Sequence, residues 1–461
     1  MRPLPPNVRP LGDFQTADVW QTHVNAIFYG IQGPGIHDHF QTFVSRDHRL
    51  AHALADRFFD HAKSAASTGP LHVMEWGVGN GNLAGSFLSR LKALDSGETV
   101  YPQLTYSLCD FSDEILKGAR LHPKLQEHAD RTRFVAMNAE TDAPVQQDPV
   151  HQIISNEIWD DLATRVVVKL NGEFLEEYLQ PCIDPARCPL PFAEFETCFQ
   201  ERRLDELKAD PGFLEHIHWE RSLRKTEIGD WPEAPAIETH FQKIDDRIPV
   251  PVNTGAFQTL RQAFDLLAPG SMGYTGFDYG MLGVPELNQV GRPYFKLYGG
   301  QYTNMVNFPL LRDVGERVGF SAITLQPQRD FVASDVNEPV ISAVDLVQAH
   351  PKIRRMEPWD VDLLMIQTLA ALNPFYRSPY KQKLDYPPVA GTPKKQRRRL
   401  AEAVEQLSKS GVPDTVAYVT RREVENAAAS LKKIGYDAGD LDDAFAASPP
   451  PVAFAHIQFR K

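Results

Sequence analysis

Two hydrophobic periods alternate along the first third of the chain. Leu83, Phe87, Leu88 and Leu91 recur at helical spacing over 83–94, and 52–66 carries a similar stripe, so both predict amphipathic helices. Short apolar runs at 71–74, 104–109, 134–137 and 152–155 predict buried strands. Ser112, followed by Asp113 and Glu114, has the makings of an N-cap with an acidic first turn, opening a helix toward Arg120. Strand and helix in alternation predict a parallel sheet with crossover helices, a doubly wound α/β core.

The rhythm then changes. Apolar stretches at 165–170 and 173–179 flank Asn171-Gly172, a pair suited to a type I′ hairpin turn. The polar, charged stretch over 193–242 reads as an inserted helical subdomain. A helix is expected over 259–267, ending at Pro269-Gly270, and a strand over 273–277 leads into Asp278-Tyr279-Gly280. A helix over 310–318 closes at Gly319, a late strand follows at 322–325, and the chain from about Val336 reads as mainly helical. The organisation expected is an N-terminal helical segment over 1–66 and a core over 67–335 with an insertion at about 181–255. A helical C-terminal extension over 336–461 completes it.

Composition narrows the class. The 461 residues are 42% hydrophobic, enough for a real core, and the net charge of −12 gives no general footprint for nucleic acid, so no such partner is expected. The basic run from Lys394 to Arg399 reads as a solvated helix face, with a partner or RNA contact as the alternative. Cys109, Cys182, Cys188 and Cys198 lack a CxxC pair and read as reduced thiols, and the 15 histidines are dispersed, His37, His39 and His48 included, so no metal is expected. The proline-broken N-terminus has no apolar signal core, and no apolar run reaches membrane-spanning length, which makes cytoplasmic the default expectation. Nothing in the sequence speaks to oligomeric state.

The strongest chemical signal lies at Val73-Met74-Glu75-Trp76-Gly77-Val78-Gly79-Asn80-Gly81-Asn82-Leu83. A strand ends in an acid, three glycines alternate, and a helix begins. The glycines admit positive φ and close ligand approach, and the helix N-terminus offers free N–H donors. The pattern alone also fits a structural turn or a dinucleotide site. Its surroundings favour S-adenosylmethionine. Glu75 stands where a carboxylate meets the cofactor's amino group, Asp110 ends the next strand as a ribose acceptor, and Asn138-Ala139-Glu140 follow the third strand at the adenine position. Glu75, Gly77, Gly79, Gly81, Asp110, Asn138 and Glu140 are therefore the cofactor candidates.

A second constellation, Ile153-Ile154-Ser155-Asn156-Glu157-Ile158-Trp159-Asp160-Asp161, delivers Asn156, Glu157 and Asp160 to the carboxyl edge of the sheet. These groups can orient or deprotonate a nucleophilic nitrogen, so they are the catalytic candidates. Helix capping is the competing role for Asp160 and Asp161.

Asn156-Glu157-Ile158-Trp159-Asp160 resembles the Asn-Glu-Phe-x-Asp motif of the MidA-like methyltransferases, the family of a mitochondrial complex I assembly factor that methylates an arginine. Phe277-Asp278-Tyr279-Gly280 is similar to that family's late Asp-Tyr-Gly strand end, 299–308 (GGQYTNMVNF) to its Asp-x-Thr-x-x-Val-x-Phe segment, and Asp38-His39-Phe40-Gln41-Thr42 to its entry motif. The segments keep the family's order across 38–331. The resemblance implies a class I methyltransferase fold, S-adenosylmethionine as cofactor, a protein side-chain nitrogen, arginine among them, as acceptor, and Asp278 and Tyr279 in the substrate wall. Departures fall at the glycine turn, which lacks the family's proline, at Asp161-Leu162-Ala163 in place of Ala-Leu-Pro, and at Asp110 where the family has Glu. Two alternatives remain from the sequence: a small-molecule acceptor beneath the insertion as a lid, and a non-catalytic assembly protein that retains the fold.

Overall fold

The computed structural model describes residues 4–33, 47–64, 69–142, 149–376, 378–380, 388, 391–407 and 417–461. Strands β1 (Arg9–Pro10) and β2 (Gln15–Thr16) lead into helix α1 (Ala17–Gln32). Helix α2 (Arg49–Ser64) then precedes the first core strand, β3 (Leu71–Trp76). The glycine turn connects β3 to α3 (Asn82–Leu94). Next come β4 (Leu104–Asp110), α4 (Asp113–Arg120), β5 (Thr132–Ala136) and β6 (Gln152–Asn156). Ser112 caps α4, its side chain accepting from the Ile115 amide, as the sequence led us to expect. The entry motif at 38–42, with His37 and His39, lies outside the described residues.

Between β6 and the next core strand the chain builds a second, antiparallel sheet from β7 (Arg165–Leu170), β8 (Glu173–Ile183), β9 (His218–Lys225) and β10 (Pro249–Val252). The β7–β8 hairpin turns at Asn171 and Gly172 with φ of 51° and 82°, the left-handed pair a type I′ turn needs. The insertion was expected to be helical. Helices α5 (Phe192–Gln200) and α6 (Ala234–Phe241) are present, but β9 is a strand on the edge of β8, whose long ladder supplies its hydrogen bonds. The insertion also begins earlier than expected, directly after the Asn156-to-Asp161 segment.

The core resumes with α7 (Thr254–Leu266), β11 (Gly273–Met281), the hairpin β12 (Phe295–Tyr298) and β13 (Gln301–Asn304), and the short β14 (Val306–Asn307). Helix α8 (Phe308–Val318), strand β15 (Ala322–Pro327) and helix α9 (Gln328–Val336) follow. Residues beyond 336 form a compact unit with its own apolar core around Leu346, Leu369, Leu372 and Leu431. Its elements include β16 (Val340–Ser342), α10 (Ala343–Gln348), α11 (Pro358–Tyr376), α12 (Lys394–Leu407), β17 (Tyr418–Thr420), α13 (Arg421–Lys433) and α14 (Ala438–Ala446).

This unit is not the end of the chain. Strand β18 (Ala453–Arg460) returns to the core and inserts antiparallel between β11 and β15. The expectation of a helical stretch running to 461 is corrected there: the last residues belong to the central sheet. That sheet has the order β15-β18-β11-β6-β3-β4-β5, parallel from β11 to β5. One antiparallel strand near the edge of an otherwise parallel, doubly wound sheet is the class I methyltransferase arrangement. Side-chain alternation along β3 sorts the two faces, Val73 packing into the core with α2 and α3, Met74 and Trp76 into the core with α7 and α8. The chain reverses its direction of strand addition at the neighbouring carboxyl ends of β3 and β6, which is where such sheets bind ligands.

Candidate functional site

At the end of β3 the Gly77 amide donates to the Cys109 carbonyl at 2.9 Å, tying the turn to β4. Gly77, Gly79 and Gly81 have φ of 76°, 55° and 81°. A Cβ on Gly77 would lie 2.3 Å from Ile158 Cγ2, so this position needs glycine for both conformation and space. Beneath the turn, Glu75 is buried and accepts from the Tyr106 hydroxyl at 2.7 Å. Burial pushes its carboxyl up to about 8, against that donor, which favours the charged form.

Asp110 ends β4. Its carboxylate accepts the Ser112 amide at 3.0 Å, and the amides of Val78, Phe111 and Gly79 also favour its charge. Burial outweighs them and raises it to about 6. After β5, Asn138 Oδ1 accepts the Glu140 amide at 2.8 Å, and Glu140 Oε1 accepts the Ala163 amide at 3.0 Å. Asn138 and Glu140 are thereby tied to the turn that follows β6.

That turn carries the acids. Glu157 has φ of 50°, rare for a residue with a Cβ, and its amide donates to the Phe277 carbonyl at 2.7 Å. Asn156 Nδ2 donates to Glu157 Oε1 at 3.1 Å. Burial, and then the charge of Asp160, push Glu157 up to about 8. Asp160 Oδ2 accepts the Tyr279 hydroxyl at 2.7 Å, and burial raises Asp160 to about 6. Asp161 accepts from Gln301 Nε2, 2.7 Å from each oxygen, and from the Tyr29 hydroxyl. Burial and the neighbouring Asp160 hold it well above the usual carboxylate range.

Asp278 plays a different part from the substrate wall suggested above. Its Oδ2 accepts the Trp159 and Asp160 amides at 2.9 and 3.3 Å, and its Oδ1 accepts the Tyr279 amide at 2.8 Å. It is wholly buried and serves as the internal post on which the acidic turn is hung.

These segments enclose a cavity of about 720 Å³. Gly77, Gly79, Asp110, Asn138, Glu140, Asn156, Glu157, Asp160 and Tyr279 line it; Glu75, Gly81 and Asp278 support its wall from behind. Other lining residues went unremarked as site residues in the sequence: Tyr29 and Asn25 from α1, Phe111, Tyr298 and Gln301 from the β12–β13 hairpin and its surroundings, and Phe454 from β18. A polar stripe at Gln21, Asn25 and Tyr29 within an otherwise apolar helix face was the available signal for the α1 residues. Among the described residues five carboxyl groups line the cavity, and Arg202 is the one lysine or arginine. Trp76 Nε1, Asn156 Oδ1 and Asp160 Oδ1 are buried with no hydrogen-bond partner among the described residues. Buried polar atoms left unpaired at one cavity wall are open to bonding with water or a bound ligand.

Among the described residues no group of histidine, cysteine and carboxylate side chains is arranged to hold a metal, and no helix is long and apolar enough to cross a membrane.

A family model described as putative S-adenosyl-L-methionine-dependent methyltransferase matches residues 53–319, more than half of the chain. No curated protein matches. Among solved structures, a Burkholderia thailandensis superfamily member crystallised with S-adenosyl-homocysteine is 14% identical, with a TM-score of 0.49, covering 97% of this chain and 88% of its own. A native structure of a superfamily protein from the same organism is also 14% identical, with a TM-score of 0.46, covering 98% and 88%. A Haemonchus contortus phosphoethanolamine N-methyltransferase in complex with S-adenosylhomocysteine is 9% identical, with a TM-score of 0.35, covering 95% and 60%.

Proposed function

We propose that this chain, which belongs to the family of putative S-adenosyl-L-methionine-dependent methyltransferases, methylates a protein side-chain nitrogen, with arginine as the acceptor that fits best. The residues fit the cofactor. Gly77 and Gly79 let the turn's backbone approach a ligand without a Cβ at those positions, α3 begins at its far side, and Asp110, Asn138 and Glu140 bring polar groups suited to ribose and adenine to the cavity. When bound, the cofactor supplies the methyl group as an electrophile on a sulfonium.

The observation that carries the acceptor class is the pair of unpaired buried oxygens, Asn156 Oδ1 and Asp160 Oδ1, on either side of Glu157. They call for a ligand rich in N–H donors. A guanidinium presents five such donors and a positive charge, and the wall answers with carboxyl groups. Glu157 holds the accepting nitrogen and takes its proton, Asn156 orients Glu157, and Asp160, fixed by Tyr279, holds a second N–H. A small-molecule acceptor is the second reading. It is favoured by Arg202, which reaches the cavity from the insertion and could cover a compact ligand.

Labelled methyl transfer into a cell extract tests both. Label in protein that is lost with Glu157→Gln supports the first reading. Label only in small molecules selects the second, and cofactor binding without any transfer would leave an assembly protein on this fold.

A further inference from the structure

Helix α1 presents Gln21, Asn25 and Tyr29 at intervals of four residues, so the three side chains lie along one face. Each is bonded to the acidic turn or to the strand behind it. Gln21 Nε2 donates to the Asp160 carbonyl at 2.8 Å, and its Oε1 accepts the Thr164 amide at 3.1 Å. Asn25 exchanges two bonds with the Tyr302 backbone, both 2.9 Å, and its Nδ2 lies 3.4 Å from Asp161 Oδ1. The Tyr29 hydroxyl donates to Asp161 Oδ2 and accepts from Gln301 Nε2 at 2.9 Å. Its ring meets Phe111 edge-on at 5.7 Å, immediately after Asp110. Tyr29 thus touches both halves of the cavity wall.

We propose that the α1 stripe is a positioning clamp for the acidic turn, and that Tyr29 is a positioning residue which acts through Asp161 to hold Asp160 and Glu157 toward the acceptor. The turn needs such a restraint. Glu157 sits in left-handed backbone, and two adjacent acids, Asp160 and Asp161, are packed together with no lysine or arginine paired to either among the described residues. Asp278 anchors the turn's amides from below, whereas Gln21 and Asn304 hold the Asp160 carbonyl from the other side, the Asn304 amide at 2.9 Å. Tyr29 and Gln301 then fix the Asp161 side chain through three contacts to its two oxygens. The charged and titratable groups around Asp161 are Asp160, Glu157 and the Tyr29 hydroxyl, with Asp110 across the cavity.

The kinetic part of this proposal rests on the methyl-transfer reading; its structural part does not. The test is a double-mutant cycle of Tyr29→Phe and Asp161→Asn, read by methyl transfer and by amide exchange at 159–164. Tyr29→Phe keeps the ring against Phe111 and removes only the hydroxyl. We expect a melting temperature lowered only slightly, an unchanged cofactor KM, kcat lowered about tenfold, a shifted pH profile, and faster exchange at 159–164. The double variant should be no worse than Asp161→Asn alone, because both changes break one linkage. Additive losses, or wild-type exchange at 159–164 in Tyr29→Phe, would overturn the clamp. A wild-type protein with no transfer would sink the methyl-transfer reading, while the exchange data would still decide the clamp.

Discussion

The Tyr279 hydroxyl donates to Asp160 Oδ2 at 2.7 Å and lies 2.9 Å from Thr303 Oγ1, so one phenol ties β11 to the acidic turn and to β13. Asp160 Oδ1 has no hydrogen-bond partner among the described residues. Tyr279→Phe would release Asp160 without emptying the space the ring fills. A hydrogen bond to a charged group contributes about 1.5–3 kcal/mol, so kcat/KM should fall at least tenfold. Steady-state kinetics alongside a melting curve checks this: an unchanged rate would remove Asp160 from the reacting side.

Asp278 is a sharper test of architecture. Three buried amides, those of Trp159, Asp160 and Tyr279, end on its carboxylate. Asp278→Ala would orphan all of them, each costing about 1–3 kcal/mol, and should give little soluble protein. Asp278→Asn keeps an acceptor and should fold with a lower melting temperature. If Asp278→Ala melts like the wild type, the acidic turn is held by something else.

Substitution at the glycine turn separates cofactor binding from folding. Gly77→Ala forces a Cβ into Ile158 at a φ of 76°, and Ile158 neighbours Glu157. We expect calorimetry with S-adenosylhomocysteine to show at least tenfold weaker binding. Gly172→Ala, at a φ of 82° with nothing within 4 Å, is the control. It carries only the left-handed cost of about 1–2 kcal/mol and should bind normally.

The raised carboxyls also set a pH dependence. Glu157 titrates near 8 in the fold against an ordinary 4.5, and Glu75 does the same. Between those values the folded chain binds more protons than the unfolded chain, so the ligand-free protein should lose stability as pH rises from about 4.5 to about 8. Glu157→Gln removes one of these contributions, and its melting temperature should gain on the wild type progressively across that window. A bound cation draws Glu157 toward its charged form, so affinity for a cationic acceptor should rise with pH over the same range. A stability curve that stays parallel for the two proteins would place Glu157 in water.

Much of this was legible in the sequence because the parallel core is built from local signals. Buried strands at β3, β4 and β6 read as apolar runs, and the Gly77, Gly79 and Gly81 spacing, ambiguous alone, gained its meaning from Glu75 before it and Asp110 at the end of the next strand. The rest depended on contacts remote in sequence. Asp278 reads as a strand-end acid, and only the fold shows three amides converging on it. Tyr29 and Gln301 meet at Asp161 across 272 residues, a pairing no periodicity encodes. β9 looked helical because its four charged residues, three of them exposed on a sheet edge, hide the alternation that marks a strand.

β18 was missed for a related reason: Ala453–Arg460 follows a helical unit and a proline cluster, and its strand character is decided by the slot between β11 and β15. That slot makes a firm prediction. Ala455, Ile457 and Phe459 are fully buried, and Gly273, at a φ of 89°, packs where a Cβ would lie 1.9 Å from the Phe459 carbonyl. Truncation after residue 446 would strip both neighbours of their ladder, leave β15 unattached and open an apolar edge on β11. The truncated chain should aggregate, as judged by size-exclusion chromatography and circular dichroism. Ile457→Ala, a cavity in the same slot, should fold and lose about 2–5 kcal/mol in denaturant unfolding. Phe454→Ala differs in kind, because Phe454 lines the cavity and meets Tyr279 edge-on at 5.7 Å. It should disturb methyl transfer more than stability. A truncated chain that stays monomeric and still binds S-adenosylhomocysteine would show that the core closes without its last strand.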